Sequence, residues 1–125
     1  MSLATVRKKK ILIVEDDHDI RVMMEYILRD DYDLVLCEDG HSGIDKAVEE
    51  RPDLILLDIY MPGISGFEVC KAVRDHPEIS STPIIMLTAG AFKEEVSEGY
   101  AIGADDYVFK PYEPEELIKR IEKLL

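Results

Sequence analysis

The sequence predicts an α/β fold, a doubly wound parallel sheet of five strands flanked by five helices. Three observations point there. Continuous apolar runs of strand length recur along the chain, segments with apolar residues at helical spacing alternate with them, and short turns join the two. Strands that each feed a crossover helix must run parallel, with helices on both faces. With 125 residues, 46% of them hydrophobic, the chain fits a single domain that buries roughly two-thirds of its unfolded surface.

Ile11-Leu12-Ile13-Val14 reads as a strand buried on both faces and ending in Glu15 and Asp16. Ile20, Met23, Met24, Ile27 and Leu28 then recur at i, i+3, i+4, i+7 and i+8, which predicts a helix with that stripe toward the core. Leu34-Val35-Leu36-Cys37 is a second strand, Glu38-Asp39-Gly40 a turn, and Ile44, Ala47 and Val48 mark a short helix stopped at Arg51-Pro52. Leu54-Ile55-Leu56-Leu57 is a third buried strand, and it delivers Asp58 to a turn through Ile59-Tyr60-Met61-Pro62-Gly63.

Ser65 and Glu68 have capping-box spacing and open a helix with Phe67, Cys70 and Val73 inward, ending before Pro77. Pro83 leads into the fourth strand, Ile84-Ile85-Met86-Leu87, with Thr88 and Ala89 at its exit. From Phe92 to Ile102 a weakly amphipathic helix is interrupted by Gly99. Tyr107-Val108-Phe109 is a brief fifth strand ending at Lys110-Pro111. Pro114 suits the first turn of a last helix carrying Leu117, Ile118, Ile121, Leu124 and Leu125.

Composition narrows the function. The 27 acidic residues outnumber the 15 basic ones, for a formal charge of -12, so nucleic acid or an anionic membrane would repel this domain. No apolar run approaches the roughly 20 residues of a membrane span. Cys37 and Cys70 stand apart in apolar patterns and read as buried hydrophobes, which fits a reducing cytoplasm. Met1-Ser2-Leu3-Ala4 resembles a vector-derived start, so residues 1–8 are expected to be an expression scar and lead-in, with the domain at 9–125.

In a doubly wound sheet ligands bind beyond the carboxyl ends of the strands. The polar exceptions fall there: Glu15 and Asp16 after the first strand, Asp58 after the third, Thr88 after the fourth and Lys110 after the fifth. Three carboxylates brought together repel, and a cation relieves them. An all-oxygen donor set in a partly open site suits Mg²⁺, and no His or Cys cluster points to zinc. A carboxylate beside Mg²⁺ can attack phosphorus and become an acyl phosphate, with Lys110 and Thr88 donating to phosphoryl oxygens. Asp58 is the candidate nucleophile. Singly, a strand-terminal Asp is more often a cap, Thr an ordinary strand residue and Lys-Pro a solvated turn; the weight lies in their coincidence at four strand ends.

From Lys9 to Leu125 the chain resembles the receiver domains of two-component response regulators. The resemblance rests on Ile11-Leu12-Ile13-Val14-Glu15-Asp16-Asp17, on Leu57-Asp58 with Met61-Pro62-Gly63, on Leu87-Thr88-Ala89, and on Tyr107-Val108-Phe109-Lys110-Pro111. It implies a flavodoxin-like strand order of 2-1-3-4-5. It further implies Asp58 as phosphoacceptor and Asp16 as direct ligand of Mg²⁺ or Mn²⁺, with Glu15 acting largely through water and Tyr60 lending its backbone carbonyl. Thr88 and Tyr107 would form a switch pair beside Lys110, and the output face would comprise the fourth helix, fifth strand and fifth helix.

The implied partner is a sensor histidine kinase or histidine phosphotransfer protein, since His18, His41 and His76 sit in no kinase motif. The domain would catalyse only its own phosphorylation and dephosphorylation, in the cytoplasm, with a phosphorylation-dependent dimer or a linked effector as output. Tyr60 and Gly90 depart from the commonest pattern, because neither offers a carboxamide or carboxylate to orient water, and a long-lived phosphoryl group is expected. Rival chemistries fit less well. A haloacid-dehalogenase hydrolase needs D-x-D where this chain has Asp58-Ile59-Tyr60. In a flavodoxin Glu15-Asp16-Asp17 would repel the flavin phosphate, Ile44 breaks a G-x-S-x-G elbow, and no P-loop exists.

Overall fold

The computed structural model describes residues 7–89 and 93–125. Five strands alternate with five helices: β1 (Lys10–Val14), α1 (His18–Leu28), β2 (Asp33–Cys37), α2 (Gly40–Glu50), β3 (Leu54–Asp58), α3 (Gly66–Asp75), β4 (Ile84–Thr88), α4 (Lys93–Ile102), β5 (Asp106–Phe109) and α5 (Pro114–Leu124). All strand pairs are parallel, in the order β2-β1-β3-β4-β5. This is the predicted doubly wound sheet.

Strand side chains alternate between faces, so each apolar run fills two interiors at once. Ile11 and Ile13 enter a layer with Met24, Leu28, Leu117 and Ile121, from α1 and α5. Leu12 and Val14 enter the other, with Ala47, Val69, Cys70, Val73 and the ring of Tyr107, on the side of α2 and α3. Both cysteines are free and buried.

Local chemistry sets the helix starts. Asp17 accepts from the Ile20 N–H at 3.0 Å and opens α1. Ser65 accepts from the Glu68 N–H at 3.3 Å and opens α3, and Pro114 stands in the first turn of α5. Asp39 accepts from the Ser42 N–H at 2.9 Å, so α2 begins at Gly40, earlier than the turn-like Glu38-Asp39-Gly40 suggests. It ends where Arg51 adopts a left-handed φ of 47° before Pro52.

The predicted stripes need two corrections. Met23 is 46% exposed although its spacing placed it inward, because Ile20, Met24, Ile27 and Leu28 already cover the sheet. In α3, Val69 is fully buried beside Cys70 and Val73, whereas Phe67 is only partly so. Among the described residues no helix is long and apolar enough to cross a membrane.

Candidate functional site

Register brings the strand ends together. Val14 pairs with Leu57, Asp58 with Leu87 and Thr88 with Phe109, which places Glu15, Asp58, Thr88 and Lys110 along one edge of the sheet. The ladder carries past the strands, for the Ile59 N–H donates to the Leu87 carbonyl at 3.1 Å and the Lys110 N–H to that of Thr88 at 2.8 Å. Backbone pairing therefore fixes where each functional side chain leaves the sheet.

Carboxylate oxygens of Glu15, Asp16 and Asp58 lie within 4.8 Å of one another. Glu15 is 1% exposed and Asp58 5%, whereas Asp16 faces solvent at the rim. The Lys110 ammonium closes the cluster, 3.0 Å from Glu15 Oε1 and 3.3 Å from Asp58 Oδ1. One cation against three carboxylates leaves a surplus of negative charge among clustered oxygen donors, a set that suits a hard divalent metal.

The electrostatics record that surplus. Burial, and then the neighbouring charge of Glu15, push the Asp58 carboxyl up to about 7 against the opposing pull of Lys110. Burial works against the Lys110 ammonium, yet its hydrogen bond to Glu15 and the charges of Asp58 and Glu15 outweigh this and raise its pKa. Without a further cation Asp58 holds a proton that a solvent-exposed aspartate would release.

Thr88 is fully buried at the end of β4. The Tyr107 ring is 3% exposed and packs between Tyr100 and Phe109, with ring centroids 5.2 and 6.1 Å away. Tyr60 is 60% exposed, two residues past Asp58, while Gly90 lies outside the described residues. Beside Lys110 an apolar hollow of about 430 Å³ is lined by Ile20, Met23, Ala89, Pro111 and Tyr112.

Two supports of the site carry no motif. Gly66 opens α3 directly against the end of β3, its N–H donating to the Ile59 carbonyl at 2.8 Å. A Cβ there would stand 2.4 Å from the Asp58 carbonyl oxygen and 2.8 Å from Ile59 Cα, so only glycine admits this approach. Arg21 reaches back from α1 to the Glu15 and Asp16 carbonyls, at 2.8 and 3.1 Å. A cation at the fourth helical position, one turn past an aspartate cap, was the available sequence signal for Arg21.

Residues 11–122 match the response regulator receiver domain family. The chain is 43% identical over 117 residues to the transcriptional regulatory protein ResD of Bacillus subtilis, covering 93% of this chain and 48% of ResD. It is 40% identical over 119 residues to the DNA-binding response regulator MtrA of Mycolicibacterium smegmatis, covering 94% and 51%. The chain thus spans about half the length of these curated relatives. Among solved structures, the chemotaxis protein CheY4 of Vibrio cholerae superposes with a TM-score of 0.91 at 38% identity, covering 95% of this chain and all of that one. Sequence match, strand order and the acidic cluster agree, and the chain belongs to the response regulator receiver domains, the phosphoacceptor signalling modules of two-component systems.

Proposed function

We propose that Asp58 accepts a phosphoryl group from a histidine kinase or histidine phosphotransfer protein, and that the chain signals by the change of shape that follows. The observation that carries this reading is the convergence of Glu15, Asp16 and Asp58 within 4.8 Å, with Lys110 bridging two of them. An Asp58 carboxylate oxygen forms the new bond to phosphorus as the bond from phosphorus to the donor nitrogen breaks, its electron pair returning to the imidazole. Lys110 meets the charge on the transferring oxygens, and the Thr88 hydroxyl donates to another of them once the group is in place.

Glu15, Asp16, Asp58 and the main-chain carbonyl of Tyr60 are the groups that would hold Mg²⁺ or Mn²⁺. When bound, such an ion supplies neutralisation of phosphoryl charge and orientation of the attacking carboxylate. Exposed Met23 on α1, with the hollow beside Lys110 that it helps to line, forms an apolar surface on which a donor protein can land.

Thr88 and Tyr107 are the switch pair of this reading. The Tyr107 ring is buried against Tyr100 and Phe109, and in this reading phosphorylation shifts the balance of arrangements only by stabilising one of them more than the other. Output then passes through α4, β5 and α5, toward a partner, a second copy or a linked effector domain, in the cytoplasm. The domain promotes only its own phosphorylation and its reversal.

Intact mass after incubation with acetyl phosphate and Mg²⁺ tests the chemistry. One phosphoryl adduct is expected, absent when Mg²⁺ is chelated and absent from Asp58→Asn. An adduct that persists in Asp58→Asn would place the acceptor elsewhere and overturn the assignment.

A further inference from the structure

The junction of β1 and α1 holds a cation that the phosphoryl chemistry leaves unused. The Arg21 side chain is only 12% exposed. Long helical side chains lean toward the N-terminus of their helix, and Arg21, the fourth residue of α1, lies back over the loop that carries the acidic pair. Its Nη1 donates to the Glu15 carbonyl at 2.8 Å and to the Asp16 carbonyl at 3.1 Å. Its Nη2 stands 3.5 Å from Glu38 Oε1 and 3.4 Å from His18 Nδ1. The Glu38 carboxylate is 77% exposed, so that ion pair is weak and the two carbonyls are what hold the guanidinium.

Both carbonyls belong to residues whose carboxylates converge on Asp58. These carboxylates repel, and the short loop from Glu15 to the helix cap is where the strain of crowding them can relax. The Asp17 N–H donates to Glu15 Oε2 at 3.2 Å, and the Asp17 carboxylate is engaged in capping α1 through Ile20. Neither contact fixes the peptide between Glu15 and Asp16. Arg21 alone, among the described contacts, grips both ends of that step.

We infer that Arg21 is a positioning residue for the divalent-cation site, holding the Glu15 and Asp16 main chain so that their carboxylates stand ready for the ion before it arrives. It does so from behind the loop, through the two main-chain carbonyls, without competing for a ligand position. The inference rests on the reading of this cluster as a cation site. Supports of this kind are worth about 10- to 100-fold in metal affinity.

Calorimetric titration of the metal-free protein with Mg²⁺ tests it, on the wild type, Arg21→Lys, Arg21→Gln, Arg21→Ala and Glu38→Gln, with urea unfolding in chelator alongside. Arg21→Ala is expected to weaken Mg²⁺ binding at least tenfold. Arg21→Lys, which keeps the charge and one donor, should fall between Arg21→Ala and wild type, and Glu38→Gln should bind within twofold of wild type. Hydrogen exchange at residues 15–17 should speed up in metal-free Arg21→Ala. Unchanged Mg²⁺ affinity in Arg21→Ala, with only its stability reduced, would overturn the inference and leave the cation site standing. Absence of Mg²⁺ binding by the wild type would overturn both. Should Arg21→Ala fail to fold, equal affinity of Arg21→Lys, Arg21→Gln and wild type is the refuting result.

Discussion

Replacing Asp58 by Asn should make the metal-free domain more stable, and the gain should depend on pH. In the folded state burial and Glu15 push this carboxyl from 3.8 up to about 7, and at about 1.36 kcal/mol per pH unit the full difference is on the order of 4 kcal/mol. The sign follows from proton counting. Between those two values the folded chain keeps a proton that the unfolded chain has lost, so stability falls as pH rises from about 4 to about 7 and stays low above it. The amide removes the buried charge but also its attraction to Lys110 at 3.3 Å, which leaves an expected gain of about 1–3 kcal/mol at pH 8.

Urea unfolding in chelator at pH 8 and pH 4.5 measures it, since the gain should be nearly gone at the lower pH. At about 4 °C per kcal/mol for a domain of this size, melting curves should separate in the same way. Added Mg²⁺ should close the gap from the other side, stabilising the wild type by about 2.7 kcal/mol at a hundredfold excess over its Kd while leaving Asp58→Asn little changed. Equal stability of the two proteins at pH 8, or a gain of the same size at pH 4.5, would show that the cluster carries no such electrostatic strain.

Three further outcomes are expected. Gly66→Ala forces a Cβ to 2.4 Å from the Asp58 carbonyl oxygen and should cost about 1–3 kcal/mol in urea unfolding, with slower phosphorylation of whatever folds. Cys37 and Cys70 are buried, and burial raises both thiols, so a disulfide reagent should modify neither in the native state and both in denaturant. Tyr60 gives no carboxamide to orient water, so the phosphoprotein should be long-lived and Tyr60→Asn should hydrolyse about tenfold faster, as followed by loss of label. Decay of the wild type within seconds would contradict this.

β1, β3 and β4 were legible because they are buried on both faces, which makes each a continuous apolar run closed by a charge or a turn, whereas β2 at the sheet edge is half-exposed and was read from its apolar composition alone. For the same reason Glu15, Asp58, Thr88 and Lys110 could be assigned to strand ends, and parallel pairing does the rest. Helix positions set by side chains were harder. The start of α2 was hidden in Glu38-Asp39-Gly40, where a cap and a turn have the same composition and only the Asp39 hydrogen bond decides. Met23 fits the inward stripe of α1 by spacing, but Ile20, Met24, Ile27 and Leu28 fill the core layer and Met23 lines the hollow beside Lys110 instead.

Side-chain contacts away from the strand ends left no such trace. Arg74 donates to the carbonyls of Gly103, Ser80 and Thr82 and pairs with Asp105 at 2.9 Å, tying α3 to the loop that follows it and to the loop between α4 and β5. Such a residue reads in the sequence as one more surface arginine.

The sheet divides the interior into two compartments whose side chains never meet, one under α1 and α5 and the other under α2 and α3. Substitutions in opposite compartments should therefore combine almost additively, while pairs inside one compartment should couple. Tyr107 lies wholly in the second, so apolar exchanges under α1 can accumulate without retuning the residues packed around that ring, whereas Arg120 of α5, paired with Asp106, stays tied to them.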